Sequence, residues 1–254
     1  MKTNNFFKVF LDPLLSIFPL SSRHLKSHID ARDYEKCIRN LENNNVKLDV
    51  IYDIGAHKGR WTKWHKKILK NKIFILFEAN EIHRKKLEKT NSKFFIQVLS
   101  SENKQLKFFR QGGTGDSIYL ENTDHYSGSY DVVSAKSIDT VIAENDLPPP
   151  NFIKLDVQGA ELDILKGAKK ALNSCNVILM ECPVVQYNLG APELKDYLDF
   201  MKEIDFLPLK IFEQHVDSGL LIQIDILFIS KKSYEASLKD RKSPKYLEPV
   251  SLGR

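Results

Sequence analysis

The stretch VIYDIGAHKG, Val50 to Gly59, constrains this chain more than any other. Val50, Ile51, Tyr52 and Ile54 form an apolar run that suits a short strand covered on both faces. Asp53 stands near the carboxyl end of that strand. Gly55 and Gly59 bracket a turn, where missing side chains let the backbone reverse sharply and approach a ligand closely. The spacing of Trp61, Trp64 and Ile68 then predicts one apolar face of a helix. A strand, a glycine turn and a helix in that order belong to an open α/β sheet. Such sheets bind ligands in the crevice beyond their strand ends.

The turn discriminates among ligands. The dinucleotide fingerprint G-x-G-x-x-G needs a second glycine so that a pyrophosphate can come close. Here His57 stands at that position, and the pattern reads D-x-G-x-x-x-G. This argues against a nicotinamide oxidoreductase. A carboxylate beside the turn repels a pyrophosphate and attracts a cation. S-adenosylmethionine, with a sulfonium and an α-amino group and no phosphate, is such a ligand. A bare strand–turn–helix without a ligand is the alternative. The segment KIFILFEAN, Lys72 to Asn80, predicts a second apolar strand ending in Glu78. An acidic residue roughly 20 positions past a glycine turn is placed to grip a ribose diol, because a carboxylate accepts from both hydroxyls. Glu78 capping the next helix is the alternative, although Asn80 is the better cap.

The remaining pattern organises the chain. With 254 residues there is room for one large α/β domain with extensions. Residues 1–45 read as a helical extension, residues 46–230 as the main domain and residues 231–254 as a mobile tail. Strand 50–54, helix 59–70, strand 73–78, helix 81–90 and strand 94–99 alternate, which predicts a parallel sheet with right-handed crossovers. A β-rich excursion follows around Leu106 to Phe109 and Val132 to Ala135, with the loop GGTGDS, Gly112 to Ser117, between them. Ser137 is placed to cap a short helix ending near Glu144. Asn151 to Asp156 is the fourth strand, Glu161 to Leu172 a helix, and Asn176 to Cys182 the fifth strand. Leu194 to Ile204 has helical spacing after Pro192. Phe206 to Phe212 and Leu220 to Ile229 read as a closing strand pair.

Composition narrows the class. The net charge of +5 is mild, and its lysine clusters read as solvated helix faces rather than a nucleic-acid surface. The three cysteines, Cys37, Cys175 and Cys182, form no C-x-x-C and are odd in number. Reduced thiols in a cytoplasmic setting are the simplest reading. No apolar run reaches the roughly 20 residues of a membrane span. Phe6 to Leu20 is rich in Phe and Leu but interrupted by Lys8, Asp12 and two prolines, so it is no secretory signal. Docking on the domain is expected, with a dimer contact or peripheral membrane contact as the alternatives. Nothing in the sequence sets the oligomeric state.

Together DIGAHKG, FEAN, IKLDVQGAELDILKGA and the closing strand pair resemble the FkbM family of S-adenosylmethionine-dependent methyltransferases, over roughly residues 48–230. Ile153 to Ala168 carries most of the specificity. The family usually has D-V-E-G-x-E there, and this chain has Gln158 at the middle acidic position. The resemblance implies a Rossmann-like class I methyltransferase fold, a mostly parallel seven-stranded sheet with the last strand antiparallel. It implies S-adenosylmethionine as cofactor and O-methylation of a hydroxyl on a sugar, glycan or related natural product. It assigns Asp53, Gly55 and Gly59, with His57 in the same turn, to the methionine end of the cofactor. Glu78 and Asn80 fall to the ribose end, and Ser100 lies near the adenine.

Methyl transfer asks for a positioned acceptor oxygen and a group to take its proton. Asp156 and Glu181 end the fourth and fifth strands and are the candidate bases, Asp156 first. Holding the turn after the strand is the structural alternative for Asp156. Glu161 and Asp163 fall in a helix's first turn, where carboxylates stabilise the dipole, although Glu161 matches a family position. His57 and His83 are weaker candidates for a base. No H-E-x-x-H or cysteine–histidine cluster appears, so no bound zinc is expected; Mg²⁺ between Asp156 and another carboxylate stays open. Substrate contacts are expected from GGTGDS, from Tyr119 to Tyr130 and from the loop after Cys182. A nucleic-acid methyltransferase would want D/N-P-P-Y/F after the fourth strand, where this chain reads DVQGAE, or a proline before its cysteine, where Cys182 precedes Pro183. A non-catalytic cofactor- or partner-binding protein is the other competing reading.

Overall fold

The computed structural model describes residues 33–110, 115–121 and 129–238. The chain divides into two units, residues 1–41 and 42–254. Of the first unit, residues 33–41 are described. They are helical, with Arg39 and Glu35 paired at 2.7 Å one turn apart. The apolar stretch Phe6 to Leu20 lies outside the described residues.

The second unit carries the sheet. Its elements run β1 (Val50–Ile54), α1 (Arg60–Ile68), β2 (Ile73–Glu78), a 3₁₀ turn (Glu81–His83), α2 (Arg84–Glu88) and β3 (Lys93–Ile96). The short excursion is β4 (Val98–Leu99), β5 (Lys104–Phe109) and β6 (Tyr130–Lys136). Then come α3 (Ile138–Asn145), β7 (Phe152–Leu155), α4 (Glu161–Lys166) and β8 (Val177–Pro183). The unit closes with α5 (Leu194–Glu203), β9 (Phe206–Asp217), β10 (Leu220–Ser230) and α6 (Lys231–Leu238). Seven strands form one sheet in the order β3-β2-β1-β7-β8-β10-β9. β3, β2, β1, β7 and β8 pair in parallel, and β10 is antiparallel to both its neighbours. This is the mostly parallel sheet with a reversed last strand that the resemblance implied.

The continuous apolar runs explain the centre of the sheet. Every residue of β1 and of β7 is buried, as strands covered on both faces must be. Tyr52, Phe77, Ile153, Ile178 and Phe228 belong to one core cluster. The parallel register sets Asp53 beside Lys154 and Ile54 beside both Phe77 and Leu155. The carboxyl ends of β1, β2 and β7 therefore finish level, on one side of the sheet.

Several elements depart from the sequence reading, each for a local reason. The strand expected over 94–99 is two strands in different sheets: β3 pairs with β2, while β4 pairs with β6 in a three-stranded sheet. The chain changes sheets at Gln97. Its N–H donates to Glu78 O at 2.8 Å, and its side-chain amide donates to Ser134 O at 2.9 Å. The helix expected over 161–172 stops at Gly167, where a Cβ would lie 2.4 Å from the Ser100 carbonyl oxygen. The helix after the glycine turn does not bury Trp61, Trp64 and Ile68. Its buried residues are Thr62 and His65, with Leu69 just beyond its end, and the two tryptophans are half-buried flanks. At residue 231 the chain enters α6, where Ser233 is buried and donates to Asn176 Oδ1 at 2.9 Å. Residues past 238 lie outside the described residues.

Candidate functional site

A cavity of about 410 Å³ opens at the carboxyl ends of β1, β2, β7 and β8. Phe77, Val98, Leu99, Phe108, Ile118 and Ile164 give it an apolar wall. Gly55, His57, Glu78, Asp156 and Glu181 face it from the strand ends, and Gln223 with His215 closes one side from the β9–β10 hairpin. Five of the residues expected from the sequence thus share one cavity.

Gly55 is required by its surroundings. Its φ is +77°, and a Cβ there would lie 1.8 Å from the carbonyl oxygen of Asp156. The turn is therefore pressed onto the end of β7, a contact only glycine permits. The N–H groups of Gly55 and Ala56 both donate to Phe77 O at 3.0 Å. One residue further, the His57 N–H donates to Glu78 Oε2 at 2.6 Å, while the Asn80 N–H donates to Oε1 at 2.7 Å. Each Glu78 oxygen accepts one backbone amide and keeps a lone pair for a ligand. Burial pushes this carboxyl up, opposed by those two amides.

Other expected cofactor residues support the cavity from behind. Asp53 is fully buried and does not line it. Thr62 on α1 donates to its Oδ2 at 2.5 Å, and Lys154 Nζ stands 3.6 Å from its Oδ1. Gly59, at φ +66°, starts α1 and would press a Cβ to 2.5 Å from Thr90 Cγ2. Asn80 caps the 3₁₀ turn, accepting from the Ile82 N–H at 3.2 Å, and donates to Asp116 Oδ2 at 2.5 Å. Ser100, expected near the adenine, is fully buried and donates to Asp163 Oδ2 at 2.6 Å. That bond turns its side chain toward α4, and Gln97, Val98 and Leu99 line the cavity in its place. Asp163 stays below the usual carboxylate range because the Ser100 and Ser101 donors outweigh its burial.

At the acceptor end, Asp156 Oδ2 accepts from Lys154 Nζ at 3.0 Å, and Lys154 also reaches Gly55 O at 3.3 Å. Burial works against a charge on Lys154, but Asp156 and Asp53 outweigh it and hold the amine protonated. Gln158, at φ +58°, turns its side-chain amide between two carboxylates, 3.2 Å from Glu181 Oε1 and 3.5 Å from Asp156 Oδ1. Tyr187 and Gln223 also donate to Glu181, at 3.1 Å and 2.7 Å. Burial first, then the charges of Asp156, Glu161 and Asp225, pushes Glu181 up to about 9. Glu161 is fully buried. It accepts from the Val157 N–H at 2.9 Å and from the Tyr197 hydroxyl at 2.6 Å, so it holds the loop after β7. Ser117 and Asn188 hold the same loop from outside, donating to Gln158 O at 2.7 Å and 2.9 Å.

The sequence reading passed over Lys154, Tyr187, His215 and Gln223. A lysine inside the four-residue run FIKL is a visible signal, since a buried amine must be paired. Gln223 in LLIQIDILFI breaks an apolar strand in the same way. His215 and Tyr187 carry no such mark. The rings of His57 and His83 meet edge-on at 4.2 Å, and burial pushes both below the usual histidine range, so both are neutral. His57 Nε2 is buried without a hydrogen-bond partner. Among the described residues no group of three or more His, Cys, Asp or Glu side chains is arranged to hold a metal ion.

The donor set suits S-adenosylmethionine: a buried carboxylate with free lone pairs at the end of β2, an apolar wall beside it and, among the described residues, no Lys or Arg in the lining. A methyltransferase FkbM domain model matches residues 53–208, more than half of the chain. A hexuronic acid methyltransferase of Haloferax volcanii is 26% identical over 160 residues, covering 60% of this chain and 63% of its own. The match thus spans less than two thirds of that relative. Two crystal structures are similar to parts of the chain. A methyltransferase FkbM from Methylobacillus flagellatus is 17% identical, with TM-score 0.45 over 70% of this chain and 43% of its own. An O-methyltransferase from Bacillus cereus is 15% identical, with TM-score 0.43 over 75% and 78%. The domain match spans the turn, both strand-end carboxylates and the loop after β7, and on that ground the chain belongs to the FkbM methyltransferase family, with S-adenosylmethionine as its cofactor.

Proposed function

We propose that the protein transfers a methyl group from S-adenosylmethionine to a hydroxyl of a sugar, glycan or related natural product. The observation that carries the reading is the position of Asp156. It directly follows β7, faces the same cavity as Gly55 and Glu78, and is held by Lys154 at 3.0 Å. The curated relative's name, a hexuronic acid methyltransferase, supports a sugar acceptor.

The bound cofactor supplies an activated methyl on a good leaving group. Glu78 and the Gly55 turn bind it, and the apolar wall takes its base. The residues after β7 orient the acceptor, and positioning of this kind contributes roughly 7–11 kcal/mol. Asp156 Oδ1 takes the acceptor's proton, while Lys154 fixes the carboxylate through Oδ2. A positioned base adds about 10²–10⁴-fold. Glu181, pushed up to about 9, holds its proton at neutral pH and acts as a fixed donor rather than the base.

Steady-state methyl transfer and cofactor calorimetry on Asp156→Asn test this. The variant is expected to bind cofactor as the wild type does and to turn over about 10²–10⁴-fold more slowly. Unchanged turnover would remove Asp156 from the chemistry.

A further inference from the structure

The fold joins two lysine runs that are separate in the sequence. From Lys58 to Lys93 the chain carries 12 Lys and Arg against 3 Asp and Glu, whereas residues 94–238 carry 13 against 21. The positive excess of the described chain thus belongs to the part that builds α1, β2 and α2. The two helices pack side by side. Gly59 at the start of α1 sits against Thr90 and Leu87 at the end of α2. Lys66 of α1 donates to Thr90 O at 2.9 Å and to Asn91 O at 3.0 Å. On α1, Arg60, Lys63, Trp64 and Lys67 share one face by their spacing, opposite the buried Thr62 and His65. Arg60 and Lys67 are exposed and Lys63 is half-buried, and on the α2 side Lys85, Lys86 and Lys89 are exposed. None of these six cations has an ion-pair partner among the described residues, whereas Arg84 pairs with Glu81 and Lys72 with Glu42 and Asp49. The face begins at the rim of the cavity. Lys58 and Arg60 are close enough to His57 to disfavour its protonation. Ile82, 72% exposed, precedes His83, which lines the cavity.

Six uncompensated cations on one side of a domain whose remainder is acidic give the molecule two electrostatic ends. An extended anionic surface attracts the basic end and repels the other, so it also orients the molecule. Each Lys or Arg held at an anionic bilayer strengthens binding about fivefold. The headgroup layer also takes indole and aliphatic side chains, which Trp64 among the α1 cations and Ile82 at the rim supply. The phosphate backbone of a nucleic acid gives an isoleucine no such place.

We propose that the α1–α2 face docks the protein on an anionic lipid bilayer. The basic side chains of both helices meet the headgroups, and the cavity rim at His57 and His83 lies beside them. The inference is independent of the methyltransferase reading, and its test needs neither cofactor nor acceptor.

The test is co-sedimentation of the full chain with vesicles of phosphatidylcholine alone, or with about one-third phosphatidylglycerol. Two charge reversals probe the two helices separately, Lys63→Glu with Lys67→Glu and Lys85→Glu with Lys89→Glu. Lys166→Glu with Lys169→Glu, two exposed lysines outside the face, is the control. Circular dichroism establishes that each variant is folded. The expected result is binding to the anionic vesicles only, weakened as salt rises toward about 0.5 M. Each reversal on the face is expected to weaken it at least about tenfold, and the control to stay within about twofold of wild type. Equal binding to both kinds of vesicle overturns the proposal, as does binding to neither. A loss on the face no larger than that of the control also overturns it, and would move the membrane contact to another segment such as Phe6 to Leu20. So does tighter binding to a DNA duplex than to anionic vesicles at equal phosphate concentration, which would make the face a nucleic-acid surface.

Discussion

Lys154 and Asp53 form a buried ion pair, Nζ to Oδ1 at 3.6 Å, directly behind the carboxylate that faces the cavity. Lys154 is 8% exposed at its side chain and Asp53 not at all, and the same amine holds Asp156 at 3.0 Å. Asp53 at the end of the first strand therefore acts at one remove, through a lysine.

Removing that lysine leaves two carboxylates without their cation. Breaking a buried pair from one side costs about 3–5 kcal/mol. Lys154→Met is expected to lose stability on that scale in urea denaturation. Adding Asp53→Asn is expected to recover part of the loss. Additive losses in the double variant would mean that the two residues are not coupled.

Glu181 makes stability depend on pH. Its folded value, raised to about 9, lies above its ordinary value of 4.5, so the folded state binds its proton more tightly than the unfolded chain. The slope of unfolding free energy with pH is then negative between those values. The contribution is intact at acid pH, declines as the unfolded chain ionises above 4.5, and levels off beyond about 9. Glu181→Gln is expected to flatten this part of the profile, gaining relative to wild type as pH rises from 5 toward 9. Parallel curves of Tm against pH for the two proteins would contradict the assignment.

Gly55→Ala forces a Cβ into the carbonyl of Asp156, at a φ of +77° that alanine avoids. The loss should exceed the roughly 1 kcal/mol by which Gly→Ala stabilises at a position whose backbone alanine can adopt. Because the turn also places the His57 N–H on Glu78, cofactor affinity is expected to fall even in conditions where the variant stays folded. A variant with wild-type stability and affinity would show that the turn tolerates displacement.

The sheet was legible because its central strands are unbroken apolar runs. Val50 to Ile54 and Phe152 to Leu155 have no other place than between two covered faces. The strand ends follow from parallel pairing, so Gly55, Glu78, Asp156 and Glu181 could be brought together from sequence alone. Less legible were residues whose role depends on a partner far along the chain. Asp53 reads as a ligand to the cofactor until Thr62 and Lys154 are seen to enclose it. Ser100 sits beside cavity residues in sequence, but Asp163 draws its side chain away. The change of sheet at Gln97 is marked in FFIQVL by that single polar residue alone, and it is fixed by the Gln97 N–H on Glu78 O and its side-chain amide on Ser134 O. His215 reaches the cavity because β9 and β10 extend well past the other strands, which local pattern does not encode.

The most direct test of the account is S-adenosylmethionine binding by calorimetry, on the wild type and on Glu78→Ala, with circular dichroism to establish that both are folded. Glu78 accepts the His57 and Asn80 amides and faces the cavity, so the account predicts micromolar binding to the wild type and none detectable to the variant. A folded wild type that fails to bind the cofactor would contradict it.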